Sequence, residues 1–315
     1  MANVRLGIIG PGKITTRFLK GCGLSSGIEV VAAASRDFDK AVKFCAEHGI
    51  EHAFGNYEEM CASGLIDAVY IATPPFTHYE LVKMCLNHNV HVLCEKPFLT
   101  DSKQIEEVFA LAQSKGKLLM EAMKAVYTPT TLQVKKWLAD KVIGELVYAE
   151  ASDSYKSPYE HDHWVFYKGR MGGGILDVGV YPIAYLLYLI DSPIVSSTNM
   201  KVLGETGVDE VMQILINFEN GVMGSVRAGL MVNMQNKAIF YGTKGYIEVS
   251  DFWKCTEAKL KLEGQEEISW KSDFESDFQF EIQHFIDCIK KGALESPVMS
   301  KQFSMKMIDL INSNL

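Results

Sequence analysis

Short apolar runs alternate with amphipathic stretches over the first 125 residues of the chain. Val4–Ile9, Glu29–Ala34, Asp67–Ala72, His91–Cys94 and Leu118–Glu121 are apolar or β-branched and predict strands. The stretches about Lys13–Cys22, Asp37–His48, His78–His88 and Ser102–Lys115 predict helices between them. Strands that are apolar on both faces, each followed by a helix, predict a parallel sheet with helices on either side.

The second half follows a different rhythm. Leu146–Tyr155, Ser197–Leu203, Val211–Phe218, Gly221–Ala228, Lys237–Tyr241 and Tyr246–Val249 are strand candidates. Met212–Phe218 alternates apolar with polar positions, the mark of a half-buried strand. Asn220-Gly221 and Thr243-Lys244-Gly245 supply hairpin turns, so the sheet is expected to be mostly antiparallel. A helix over about Ile175–Ile190, and two more over about Phe278–Lys291 and Ser300–Asn312, are expected to cover one face of it. The predicted fold is an α/β Rossmann domain over 1–123 and an α+β substrate-binding and oligomerisation domain over 124–315. The final helix is left the option of packing back on the first domain. No repeat, low-complexity segment or Pro/Ser linker separates the two, so they are expected to join closely with the site between them.

Composition narrows the class. The chain is 48% hydrophobic and 22% charged, with a net charge of -8. That suits a globular core and, without a basic block, argues against nucleic acid. Seven scattered cysteines without a CxxC pair read as reduced thiols, hence a cytoplasmic location. The N-terminus lacks signal-peptide organisation. The apolar run Ile183–Ile190 is closed by Asp191 and Pro193, too short for a membrane span.

The first strand opens into Gly10-Pro11-Gly12-Lys13-Ile14-Thr15, a glycine turn leading into a helix. In that context the pattern is a dinucleotide fingerprint whose third glycine is replaced by Thr15. Gly10 permits the turn. Gly12 leaves room for the pyrophosphate against the helix N-terminus at Lys13 and Ile14. The bulk of Thr15 predicts a slight shift of the helix. After the second strand stands Ser35-Arg36-Asp37, without the acidic residue that would hold the ribose 2′-OH of NAD at position 35. Arg36 suits a 2′-phosphate, so NADP is favoured over NAD. The plainer reading makes Arg36 a solvated side chain and Asp37 the N-cap of the next helix.

Two more loops lie at C-terminal strand ends, where open α/β sheets bind ligands. Thr73-Pro74 with His78 follows one strand, and Glu95-Lys96-Pro97 follows another. Thr73, Pro74, His78, Glu95 and Lys96 are therefore candidate cofactor contacts. Lys96 is also the candidate catalytic group, because an ammonium can bind the substrate oxygen and stabilise alkoxide character. Lys96-Pro97 is a candidate cis peptide. The alternative for the Glu-Lys pair is a surface salt bridge. In Gly172-Gly173-Gly174-Ile175-Leu176-Asp177-Val178-Gly179-Val180-Tyr181, Asp177 and Tyr181 share a face if the segment is helical. They are candidates for substrate binding and proton relay; a helix-dipole charge and a packing ring are the alternatives. His163, in Tyr159-Glu160-His161-Asp162-His163-Trp164, is a candidate substrate contact, and the spacing there matches no metal motif. Lys168 and Arg170 are substrate contacts or solvated side chains with equal justification.

Taken in order, Gly7-Ile-Ile-Gly-Pro-Gly, Ala72-Thr-Pro-Pro with His78, Glu95-Lys-Pro, and the glycine cluster with Asp177 and Tyr181 resemble the Gfo/Idh/MocA family. The resemblance covers the whole chain. Glu121-Ala122-Met123 with Tyr181 is nearest the dihydrodiol and xylose dehydrogenase-like branch. It implies NAD(P)-dependent hydride transfer to or from a sugar, polyol or diol, with Lys96 as the catalytic lysine. Many members carry a catalytic histidine at the second cluster where this chain has Tyr181. The resemblance also implies a homodimer or homotetramer formed through the C-terminal sheet. Two alternatives stand beside this reading. One is an NAD(P)-binding sensor without turnover. The other is a reductase of a different class, such as one acting on a biliverdin-like double bond.

Overall fold

The computed structural model describes residues 2–158 and 163–315. The chain folds as two compact units, one of 1–122 and 275–308, the other of 123–274 and 309–315.

The first unit begins with strands β1 (Val4–Ile9), β2 (Ile28–Ala34), β3 (His52–Phe54), β4 (Ala68–Ile71), β5 (His91–Glu95) and β6 (Leu119–Ala122). Helices α1 (Lys13–Gly23), α2 (Phe38–His48), α3 (Tyr57–Ala62), α4 (His78–Asn87) and α5 (Ser102–Lys115) connect them. The strands form one parallel sheet in the order β3-β2-β1-β4-β5-β6. This is the doubly wound order with its reversal between β1 and β4. Ile8, Val69, Val92 and Leu93 are wholly buried, as strands covered on both faces require. Local chemistry sets the helix ends. Asp37 accepts from Lys40 N at 3.2 Å to start α2, and Gly49 ends it at φ 66.

The second unit holds an eight-stranded sheet. Its strands are β7 (Leu146–Ser154), β8 (Ile194–Leu203), β9 (Asp209–Phe218), β10 (Met223–Gly229), β11 (Lys237–Gly242), β12 (Gly245–Ser250), β13 (Glu257–Leu262) and β14 (Ile268–Lys271). The order is β14-β13-β12-β11-β7-β10-β9-β8. All pairs are antiparallel except β7 with β10. Met212, Ile214, Ile216 and Phe218 of β9 point inward and are buried, as the alternation predicts. Helices α6 (Pro129–Ala139) and α7 (Val180–Ile190) belong to this unit, and α7 lies on the sheet.

Two expectations are corrected. Helix α8 (Gln279–Lys290) belongs to the first unit, not to the cover of the second sheet, and α9 (Lys301–Asn312) belongs to it through Ile308, the option left open for the final helix. The reason lies on α1. A Cβ on Gly21 would sit 2.8 Å from Phe278 Cβ, so glycine there lets α8 close on α1. Arg17 pairs with Asp277 at 2.9 Å beside it. Helical turns also run from Lys168 to Ile190, longer than the apolar run visible in the sequence, and 83% of the apolar part is buried within protein.

Candidate active site

Four loops leave the C-terminal ends of β1, β2, β4 and β5 in the first unit. The turn after β1 fits a dinucleotide for two separate reasons. Gly10 has φ +88, and a Cβ on it would lie 2.7 Å from Thr73 Cγ2, so the fold itself demands glycine there. Gly12 is different: a Cβ on it would meet no protein atom closer than Gly10 O at 3.9 Å. Glycine at 12 is thus not required by packing. It leaves open backbone at the N-terminus of α1, where no side chain caps the helix. The exposed Lys13 and half-buried Ile14 begin that helix. Such an uncapped first turn with bare backbone beside it accommodates pyrophosphate. The buried Thr15 adds a tie, its hydroxyl donating to Gly10 O at 3.1 Å. That bond answers a residue larger than glycine at the third position.

Ser35 at the end of β2 is buried, and its Oγ accepts from Asp37 N at 3.2 Å. Asp37 is occupied as the cap of α2, while Arg36 is exposed. After β4, Thr73 and Pro74 are half-buried, and Thr73 Oγ1 lies 2.7 Å from Thr77 Oγ1.

The His78 ring is wholly buried, with Nε2 2.9 Å from Thr73 O and Nδ1 3.1 Å from both Pro97 O and Phe98 O. Both nitrogens face backbone carbonyls, and the neutral ring donates to those on one side. His78 therefore braces two ligand-end loops against each other. Burial holds its pKa below the ordinary histidine value.

Glu95 is likewise turned inward. It is buried, accepts the Tyr70 hydroxyl through Oε1, and accepts Lys96 N through Oε2 at 3.1 Å. Tyr70 stacks on Phe18 of α1 with ring centroids 3.7 Å apart. A continuous line of contacts thus runs from the glycine-turn helix through Tyr70 and Glu95 to the backbone of Lys96. Lys96 itself is half-buried, and its peptide bond to Pro97 is cis. Behind this loop Glu121 is buried. It accepts from Phe98 N at 3.3 Å and from Ser304 Oγ of α9 at 2.5 Å. Burial pushes its carboxyl up to about 7.

The second unit presents the glycine cluster. Gly173 has φ +122, and a Cβ on it would lie 2.3 Å from Asp209 Oδ1. The glycines admit that buried carboxylate, which accepts from Ile175 N at 2.7 Å. Burial pushes Asp209 up to about 6. Residues Ile175–Gly179 then form a π-helical turn before α7. The wider turn departs from the α-helical spacing that predicts a shared face for Asp177 and Tyr181. Asp177 accepts the Tyr155 hydroxyl at 2.7 Å. Tyr181 is buried at 9% exposure, with its ring 6.3 Å from that of Trp253. His163 starts the turn Trp164–Phe166, and its Nδ1 lies 3.5 Å from Val165 N. Lys168 and Arg170 are exposed. His161 and Asp162 lie outside the described residues.

Sequence reasoning passed over Lys124, which is 3% exposed. Its Nζ donates to Trp253 O at 3.1 Å and lies 4.6 Å from the Trp253 ring and 5.5 Å from the Tyr181 ring. The signal was present: Glu121 and Lys124 are two ionisable residues inside the otherwise apolar run Leu118–Val126.

Comparison with known proteins agrees with this geometry. Residues 4–123 match the oxidoreductase family with an NAD-binding Rossmann fold, and residues 131–248 match the GFO/IDH/MocA C-terminal domain. The trans-1,2-dihydrobenzene-1,2-diol dehydrogenase of Mus musculus is 31% identical over 94% of this chain and 91% of its own length. That of Homo sapiens is 29% identical over 98% and 95%. Among solved structures, KijD10, a 3-ketoreductase from Actinomadura kijaniata in complex with NADP and TDP-benzene, superposes with a TM-score of 0.88 at 26% identity. It covers 99% of this chain and 97% of its own. Variants of that enzyme with a lysine or a tyrosine replaced superpose equally well. Aldose-aldose oxidoreductase from Caulobacter crescentus shares the fold, with a TM-score of 0.90 at 18% identity over 99% of this chain and 96% of its own. With a dinucleotide turn on a doubly wound sheet and both halves matched, this chain belongs to the GFO/IDH/MocA family of NAD(P)-dependent oxidoreductases.

Proposed function

We propose that the chain is an NADP-preferring dehydrogenase or reductase acting on a CH–OH carbon of a diol, polyol or sugar. The observation that carries this is Lys96, half-buried at the end of β5 on the same sheet edge as the glycine turn. The dihydrodiol dehydrogenase and ketoreductase relatives support the substrate class. Gly10, Gly12, Lys13 and Ile14 hold the pyrophosphate. Ser35, Arg36, Thr73 and Pro74 flank the rest of the cofactor. NADP, when bound, supplies or accepts the hydride.

The remaining chemistry belongs to this chain. The Lys96 ammonium donates a hydrogen bond to the substrate oxygen and stabilises its alkoxide character. The Tyr181 phenol passes the proton to or from that oxygen. Asp177 and His163 bind substrate hydroxyls. The test is nicotinamide absorbance with trans-dihydrodiols, aldoses and nucleotide-linked ketosugars. Turnover with at least one is expected; cofactor binding without turnover on all of them sinks the proposal.

Arg36 selects the cofactor in this reading. Arg36→Ser should weaken NADP binding about 10- to 100-fold, the worth of a charge-assisted pair, and leave NAD within roughly twofold. Fluorescence titration of both cofactors checks it, and a parallel loss for both would refute the assignment.

The uncovered face of the second sheet supports a homodimer or homotetramer. Met200, Val202, Leu215 and Met223 are exposed there, beside a ladder of Tyr148, Tyr241 and Tyr246. Light scattering giving a monomer mass would overturn this. We place the enzyme in the cytoplasm, with no membrane or nucleic-acid partner; seven buried free thiols support a reducing compartment.

A further inference from the structure

We infer that Lys124 is a positioning residue that lowers the proton affinity of the Tyr181 phenol. The inference rests on the proposed acid/base role of Tyr181 for its functional meaning, and on geometry for its substance. All three participants lie in the second unit. Lys124 begins a short turn, Lys124–Val126, that packs on α7 and on the turn Phe252–Lys254. Its stem is buried, and its ammonium is fixed by donating to Trp253 O at 3.1 Å. The Trp253 ring at 4.6 Å and the Tyr181 ring at 5.5 Å present their π faces to it.

A buried cation needs a compensating environment. Two aromatic faces and a carbonyl provide part of one. The same cation then acts on the phenol. A positive charge at this range favours the phenolate over the phenol, and the low-dielectric surroundings strengthen the effect. The ammonium lies 5.5 Å from the centre of the Tyr181 ring, near enough for its charge to act on the ring's hydroxyl.

Charged groups on neighbouring elements have partners of their own. Asp177, on the segment leading into α7, accepts from Tyr155. Lys135 of α6 lies over the Tyr188 ring at 3.7 Å. Arg227 of β10 faces Glu150 of β7 at 3.8 Å. Lys254 lies over the Trp253 ring at 4.5 Å. Asp153 on β7 is a buried acid of the same unit. Its charge would raise the phenol's proton affinity, so the measured position is the balance of the two.

A tyrosine used as a base near neutral pH works best when its proton affinity is drawn down toward the working pH. Lys124 supplies that without touching the substrate oxygen itself.

The experiment titrates Tyr181 by NMR in the full-length, NADP-bound protein labelled with carbon-enriched tyrosine. The resonance is identified by its loss in Tyr181→Phe. Lys124→Gln keeps a donor for the Trp253 carbonyl and removes the charge; Lys124→Met is the second variant should the first not fold. In either, the phenol is expected to titrate roughly one to two pH units higher than in the wild type. Lys124→Arg is expected to restore the shift, which a purely structural role would not do. A phenol that titrates with the wild type in the charge-removed variants overturns the inference. Retained turnover in Tyr181→Phe would instead overturn the acid/base reading, a separate result, because the shift is read on the phenol.

Discussion

Lys96→Met is expected to lower kcat by about 10³-fold while leaving NADP affinity within roughly twofold. The substitution keeps length and apolar stem and removes the ammonium. The loop should survive it, because its anchors are elsewhere. Glu95 accepts the Lys96 backbone N–H, Tyr70 holds Glu95, and Glu121 accepts Phe98 N. What is lost is a donor that gains strength as the substrate oxygen becomes alkoxide-like. An interaction realised in the transition state lowers kcat when removed, not only KM. Lys96→Arg should recover a small part of the rate. Its charge remains, but a planar guanidinium presents its donors as a fork in place of the single compact ammonium, so the bond to the substrate oxygen is misplaced. Steady-state kinetics with separate cofactor titration decides it. A variant that retains most of its rate would remove Lys96 from the chemistry and favour a double-bond reductase.

The sheet in the first unit was readable because its strands are apolar on both faces, and the glycine turn after β1 was readable as a dinucleotide fingerprint. β3 escaped: three half-buried residues at a sheet edge carry no periodicity. β13 carries the same alternation as β9 over Glu257–Leu262 and was legible there, whereas β14 is four residues of which three are exposed and bears no pattern. α6 begins with Pro129 and two threonines, a capped start whose pattern looks like a loop. For α8 and α9 the amphipathic pattern revealed a buried face but not which surface buries it. For α8 that information sits on α1, at Gly21.

The site shows the same division. Residue types at strand ends were legible; side-chain directions were not. His78 and Glu95 stand in the right loops but face the interior, where backbone carbonyls and Tyr70 meet them. Asp177 and Tyr181 have helical spacing, yet a π turn intervenes and each finds different partners. Lys124 is far from Tyr181 and Trp253 in sequence and became visible only when their rings were placed around it.

Glu121→Gln is expected to remove the loss of stability that this one carboxyl imposes between about pH 4.5 and 7. Burial raises the Glu121 carboxyl from the ordinary 4.5 to about 7. Between those values the folded chain keeps a proton that the unfolded chain has released. The stability this carboxyl contributes is therefore full below about 4.5, falls as pH rises through the window, and levels off above 7. At about 1.4 kcal/mol per pH unit the loss amounts to roughly 3 kcal/mol. Glutamine is the neutral isostere. Its carbonyl can still accept Phe98 N, and the Ser304 hydroxyl can turn to accept from its amide. Thermal melts of both proteins should coincide near pH 4.5 and separate by several degrees at pH 8, with the variant higher. Parallel curves would show that the proton on Glu121 does not govern the fold. The consequence reaches the chemistry, because Phe98 lies two residues beyond Lys96. An ionised Glu121 holds that amide more strongly than a neutral one. The wild type thus gives up stability above neutral pH for a tighter grip on the loop that carries its ammonium.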